Sequence, residues 1–101
     1  MSEIDRLDNR TYIIGREGDI YIDDKAVSKQ HAELQLFEGR FYLRDLNSTN
    51  GTFLVEGKKL IKFDKGYLNP EQRVVLGQKA YSISELIGKV LAATVEEMRE
   101  Q

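Results

Sequence analysis

Three short segments of this 101-residue chain gather polar side chains that a packed core does not ask for: Gly15-Arg16, Ser28-Lys29-Gln30-His31 and Ser48-Thr49-Asn50-Gly51. Arg16 offers a planar fork of donors that can make two charge-assisted hydrogen bonds and stays ionised at any working pH. Lys29 adds a flexible point charge, Ser28 and Thr49 add small hydroxyls, and Asn50 can donate and accept at once. Donors dominate the set. Their natural complement is a group rich in acceptor oxygens.

Each residue also has a plainer reading. Arg16 alone is a solvated surface charge, Ser28 a turn residue or cap, and Asn50-Gly51 a hairpin turn that exploits positive φ. His31 opens an alternating run and reads as a hydrogen-bonded loop anchor. Ser28, His31 and Asp45 suggest a hydrolase triad, but no G-x-S-x-G elbow is present, and one His three residues from a Ser is a weak basis for a nucleophile and its base. No catalytic residue is assigned, and the chain is not read as an enzyme. Asn47-Ser48-Thr49 and Asn50-Gly51-Thr52 match the glycosylation sequon, yet the charged start MSEIDRLDNR lacks the apolar core of a secretory signal. We read both as chance matches and expect a cytoplasmic protein.

The elements that must hold these segments are short strands. Thr11-Tyr12-Ile13-Ile14 stops at Gly15, and Ile20-Tyr21-Ile22 ends in Asp23-Asp24. The run His31 to Phe37 alternates strictly, with Ala32, Leu34 and Leu36 on one face, which predicts a half-buried strand. Glu38-Gly39 separates it from Arg40 to Leu46, so the two should form an antiparallel hairpin. Thr52 to Val55, Leu60-Ile61, Tyr67-Leu68, Val74 to Leu76 and Ala80 to Ile83 continue the series, and the only proline, Pro70, falls between strands. After Ser82 the period changes. Leu86, Ile87, Val90, Leu91, Thr94 and Met98 recur at helical spacing, and Ser82 with Glu85 has capping-box spacing, which predicts a C-terminal helix of about four turns.

Composition bounds the rest. One hundred and one residues make one domain, and no apolar run is long enough to span a bilayer. With 15 Lys and Arg against 17 Asp and Glu, no positive field favours nucleic acid. With no cysteine and one histidine, there is no thiolate or histidine cluster for a metal, and no cofactor is expected. Residues 84–101 hold four acids against two bases, so the body of the chain is neutral and any charged site in it is local.

In order and separation, the three segments resemble the forkhead-associated (FHA) domain, a module that recognises phosphothreonine in partner proteins. The resemblance is carried by Gly15-Arg16, by Ser28-x-x-His31 and by Asp45-Leu46-Asn47-Ser48-Thr49-Asn50-Gly51-Thr52-Phe53, with Leu76-Gly77 as a later echo, and it spans roughly residues 4–83. The amphipathic C-terminal α-helical extension over residues 84–101 falls outside the resemblance, which implies for the rest an all-β fold: a β-sandwich of about eleven short strands over residues 1–83, with the first strand within Glu3 to Leu7. The resemblance also implies peptide binding across loops at one end. Arg16 and Ser28 match the family's phosphate contacts, Lys29 a position that often also touches phosphate, Thr49 a hydroxyl near the phosphothreonine, and Asn50 the amide that holds the peptide backbone. Gly15, His31 and Gly51 match positions that shape the loops. A phosphothreonine carries about −1.5 to −2 charges and three strong acceptor oxygens, so these donors suit it chemically.

The expected partner is therefore a threonine-phosphorylated protein or peptide, with a Ser/Thr kinase acting upstream. Asp23 and Asp24, just before Ser28, would weaken binding of acidic peptides or select basic residues beyond the phosphothreonine. The alternative is a phosphorylation-independent assembly domain that associates through the helix, as a homodimer or with a partner, or through a sheet face. An isolated helix this short is marginal in water.

Overall fold

The computed structural model describes residues 9–99, and the side chains of residues 9–91. The strands are β1 (Arg10–Gly15), β2 (Ile20–Tyr21), β3 (Ala32–Phe37), β4 (Arg40–Asp45), β5 (Thr52–Glu56), β6 (Lys59–Lys62), β7 (Lys65–Leu68), β8 (Arg73–Leu76) and β9 (Lys79–Ser82), and the helix is α1 (Ile83–Arg99). They form a five-stranded sheet, β2-β1-β3-β4-β7, facing a four-stranded sheet, β6-β5-β8-β9.

Alternation explains the first sheet. Pairing β3 between β1 and β4 buries Ala32, Leu34 and Leu36 completely on the face that meets the second sheet, where Ile14, Leu43, Val74 and Leu76 are also fully buried. The β3–β4 hairpin turns at Glu38-Gly39, both at positive φ, 50° and 76°. At one margin β6 is exposed along its whole length, an edge strand carrying Lys59 and Lys62, and lysine is a residue that discourages edge-to-edge pairing.

The opposite margin is closed by α1, which packs against the edge strands β2 and β9. Ser82 caps it, its hydroxyl accepting the Glu85 N–H at 3.1 Å. Ile83 and Leu86 are fully buried, Ile87 nearly so, and Val90 and Leu91 pack against the same core. The apolar stripe is thus buried through Ile87 and partly covered at Val90 and Leu91, and Met98 lies outside the described side chains. No described helix is long and apolar enough to cross a membrane.

Two expectations change. Nine strands are present among the described residues, not about eleven. The strand expected within Glu3 to Leu7 lies outside those residues. Between β2 and β3, residues 22–30 spend their polar groups on turns: the Val27 N–H bonds the Asp24 carbonyl, the Ala26 N–H bonds the Asp24 carboxylate, and the Ser28 N–H bonds the His31 ring.

The second change concerns Asn50-Gly51, which is the end of a crossover between sheets and not a hairpin turn, because β4 and β5 belong to different sheets. Positive φ falls on Asn47 (56°) and Gly51 (83°). The Asp45 carboxylate folds the segment back on itself by accepting the Ser48 hydroxyl at 2.6 Å, the Ser48 N–H at 3.1 Å and the Thr52 hydroxyl at 2.8 Å.

Candidate functional site

Strand register brings the three polar segments to one pole of the sandwich. Ile14 of β1 pairs with Ala32 of β3, so the turn after Gly15 lies beside residues 28–31. Ala32 also pairs with Asp45 of β4, so the crossover that begins at Leu46 starts beside His31. The Leu46 N–H accordingly bonds the His31 carbonyl at 2.9 Å.

The first two segments are laced through their backbones. The Arg16 N–H donates to the Ser28 carbonyl at 3.2 Å and the Glu17 N–H to the Lys29 carbonyl at 3.1 Å. Gly15 makes this approach possible, since a Cβ there would lie 2.7 Å from the Ser28 carbonyl oxygen and collide with that of Lys29. The Arg16 side chain is exposed and donates from Nε to the Val27 carbonyl at 2.7 Å. Among the described residues no acceptor holds its two terminal nitrogens, so the end of the fork keeps its donors.

The third segment joins through side chains. The Ser28 hydroxyl accepts the Thr49 N–H at 3.0 Å, which leaves its own hydrogen to donate. The Asn50 amide nitrogen donates to the Ala26 carbonyl at 2.8 Å, keeping its oxygen and second N–H. Thr49 and Asn50 are exposed and Ser28 is half-buried. Lys29 is also exposed, but its ammonium lies 3.5 Å from the Glu17 carboxylate. Both side chains are largely solvated, so the pair is weak and easily exchanged for another anion.

His31 is fully buried beneath this lip. Its Nδ1 accepts the Ser28 N–H at 3.0 Å and its Nε2 lies 2.9 Å from the Gly51 carbonyl. Those partners require the neutral tautomer with the hydrogen on Nε2. Both ring nitrogens are therefore committed to backbone groups, and the ring ties the Ser28 loop to the crossover without acting as a base on the Ser28 hydroxyl.

Asp45 and Thr52 are the supporting residues that reasoning from function passed over. Burial pushes the Asp45 carboxyl up, but the Ser48 and Thr52 hydroxyls and the Ser48 N–H outweigh it and hold the group below its ordinary value. The Ser48 hydroxyl also accepts the Gly51 N–H at 3.0 Å, which completes the loop. The Asp-x-x-Ser spacing of residues 45–48 is the local signal that could have revealed this turn.

The pole thus carries a guanidinium, two hydroxyls and an amide on loops locked to one another, and among the described residues the one histidine ring is bonded to backbone groups. Residues 12–77 match the model of the FHA domain family, whose members are phosphothreonine-binding modules. The oxoglutarate dehydrogenase inhibitor of Corynebacterium glutamicum is 46% identical over 50 residues, which cover 48% of this chain and 35% of that protein. The glycogen accumulation regulator GarA of Mycolicibacterium smegmatis is 44% identical over 50 residues, covering 48% of this chain and 32% of that one. The chain therefore spans about a third of the length of the curated relatives it matches. Among solved structures, one from a structural and functional analysis of phosphothreonine-dependent FHA domain interactions superposes with a TM-score of 0.62 at 29% identity, covering 69% of this chain and 71% of that one. Two facing sheets, loops gathered at one pole and a family match across both place this chain in the FHA domain family.

Proposed function

We propose that this chain captures a threonine-phosphorylated segment of a partner protein, downstream of a Ser/Thr kinase, with Arg16 and Ser28 holding the phosphate, Lys29 and Thr49 assisting, and Asn50 holding the peptide backbone. The observation that carries the reading is the anchoring of Arg16 and Asn50 on the neighbouring carbonyls of Val27 and Ala26, with the Ser28 hydroxyl bonded to the next loop. Donors fixed in this way lose little conformational freedom when a phosphate arrives. The names of the relatives, an inhibitor and a regulator, fit a module that acts by holding a partner.

The test is a titration with matched peptides bearing phosphothreonine, phosphoserine or threonine. Phosphothreonine should bind best and phosphoserine about tenfold or more weaker, since a methyl recess is worth about 1–3 kcal/mol, and threonine should not bind measurably. Arg16→Ala should cost about 10- to 100-fold in a chain that still folds, the worth of charge-assisted hydrogen bonds at an exposed site. Comparable binding of the three peptides overturns the proposal. Self-association through the helix would find Ile83, Leu86 and Ile87 already buried in the core, with Val90 and Leu91 partly buried.

A further inference from the structure

Asp23 and Asp24 read in the sequence as a pair of acids at the lip of the site, but the structure gives them different work. Asp23 is exposed, whereas both carboxylate oxygens of Asp24 are committed. Oδ1 accepts the Ala26 N–H at 2.8 Å and Oδ2 accepts the Gln78 N–H at 2.9 Å, with the Gln78 side-chain nitrogen 3.4 Å from Oδ1. Gln78 is 54 residues away, in the turn between β8 and β9 of the other sheet.

That turn is shaped to receive the carboxylate. Gly77 has φ of 69°, and a Cβ there would lie 2.7 Å from Asp24 Oδ2 and 2.7 Å from the Val27 side chain. The backbone N–H groups of Gln78 and Ala26, in that order, outweigh burial and hold the Asp24 carboxyl below its ordinary value, so it stays ionised as the acceptor of both.

The short loop clasped by Asp24 contains the carbonyls on which the site rests. The Ala26 carbonyl holds the Asn50 amide and the Val27 carbonyl holds the Arg16 guanidinium. Asp24 bonds neither side chain. We propose that Asp24 is a positioning residue that fastens the 24–27 loop to the Gly77-Gln78 turn and thereby presets the orientation of Arg16 and Asn50 for phosphopeptide capture. Its effect on affinity rests on the phosphopeptide reading, and its effect on the two side chains does not. If the clasp were opened, both side chains would have to be ordered on binding instead of beforehand.

Asp24→Asn is the sharpest variant, because the amide can still accept from Ala26 with its oxygen but turns a donor toward the Gln78 N–H. In the full chain, solvent exchange of the Arg16 Nε–H and the Asn50 side-chain N–H should accelerate in this variant without any ligand present. Affinity for a phosphothreonine peptide should fall about tenfold, as expected when two side chains lose their preset orientation. Gln78→Ala, which keeps the backbone N–H, should match the native chain in both measurements. A core variant, Leu36→Val, should lower the melting temperature and leave the two exchange rates and the affinity alone, which separates positioning from general stability. Gly77→Ala drives the two loops apart by another route and should reproduce the loosening if Asp24→Asn does not fold. Native exchange rates at Arg16 and Asn50 in a folded Asp24→Asn or Gly77→Ala chain would overturn the proposal, whatever the affinity. Accelerated exchange in a protein that binds all three matched peptides alike would uphold the clasp while removing the phosphopeptide reading.

Discussion

The two poles of the sandwich use glycine for opposite purposes. At the tips of the β3–β4 and β5–β6 hairpins, Gly39 and Gly57 sit at φ of 76° and 62° with nothing within 4 Å of where a Cβ would be. There glycine serves only the local conformation of a turn. At the pole of the candidate site, Gly15 and Gly77 leave room for atoms of other loops. Beside its local turns, this pole has hydrogen bonds that tie its segments to one another across 11, 21, 24 and 54 positions. One pole is solved locally, and the other exists only when distant segments have met. A rigid pole of the second kind can present ligand groups in fixed orientations, which a simple hairpin tip cannot do.

Gly15→Ala should break this contrast most severely. The added methyl meets backbone carbonyls that cannot swing aside, so the loss should be about 3 kcal/mol or more in denaturant unfolding, with disruption of the whole pole. A loss under about 1 kcal/mol would mean that the loops are free to separate and that the pole is not locked.

Asp45 gives an intermediate effect with a defined pH window. Its folded pKa is lowered, so the folded chain binds the proton less readily than the unfolded chain does. Its stabilising contribution is complete above the unfolded value of about 3.9 and is lost as pH falls through the folded value. Asp45→Asn should cost about 1.5–3 kcal/mol near neutrality and flatten the acid limb of stability against pH. An acid limb unchanged by the substitution would assign the titration to other carboxylates.

Gly39→Ala should show the smallest effect, about 1–2 kcal/mol from the left-handed backbone alone, with phosphopeptide affinity untouched. Any fall in affinity there would show that the poles communicate, and would blur the distinction drawn between them.

Residues whose structure depends on near neighbours were legible before folding. The alternation of Ala32, Leu34 and Leu36, the turn at Glu38-Gly39 and the Ser82 cap with its following helix depend on patterns within a few positions, and each is found where the spacing predicts it. The three polar segments could be singled out by residue type in the same way. The geometry joining them could not, and Asn50-Gly51 shows why: an Asn-Gly pair favours a hairpin, yet Asp45, Ser48 and Thr52 draw the segment into a crossover between sheets.

The sequence by itself determined the strands, the helix, the absence of cysteine chemistry and the identity of the candidate groups, because side-chain type and short-range period suffice for those. Tertiary structure alone decided that Arg16 and Asn50 share the carbonyls of one loop, that Lys29 faces Glu17, and that the Asp24 carboxylate bridges Ala26 and Gln78. Those facts depend on which backbone groups arrive within hydrogen-bond reach once two sheets close on each other. No local pattern in the chain encodes a partner 54 residues away.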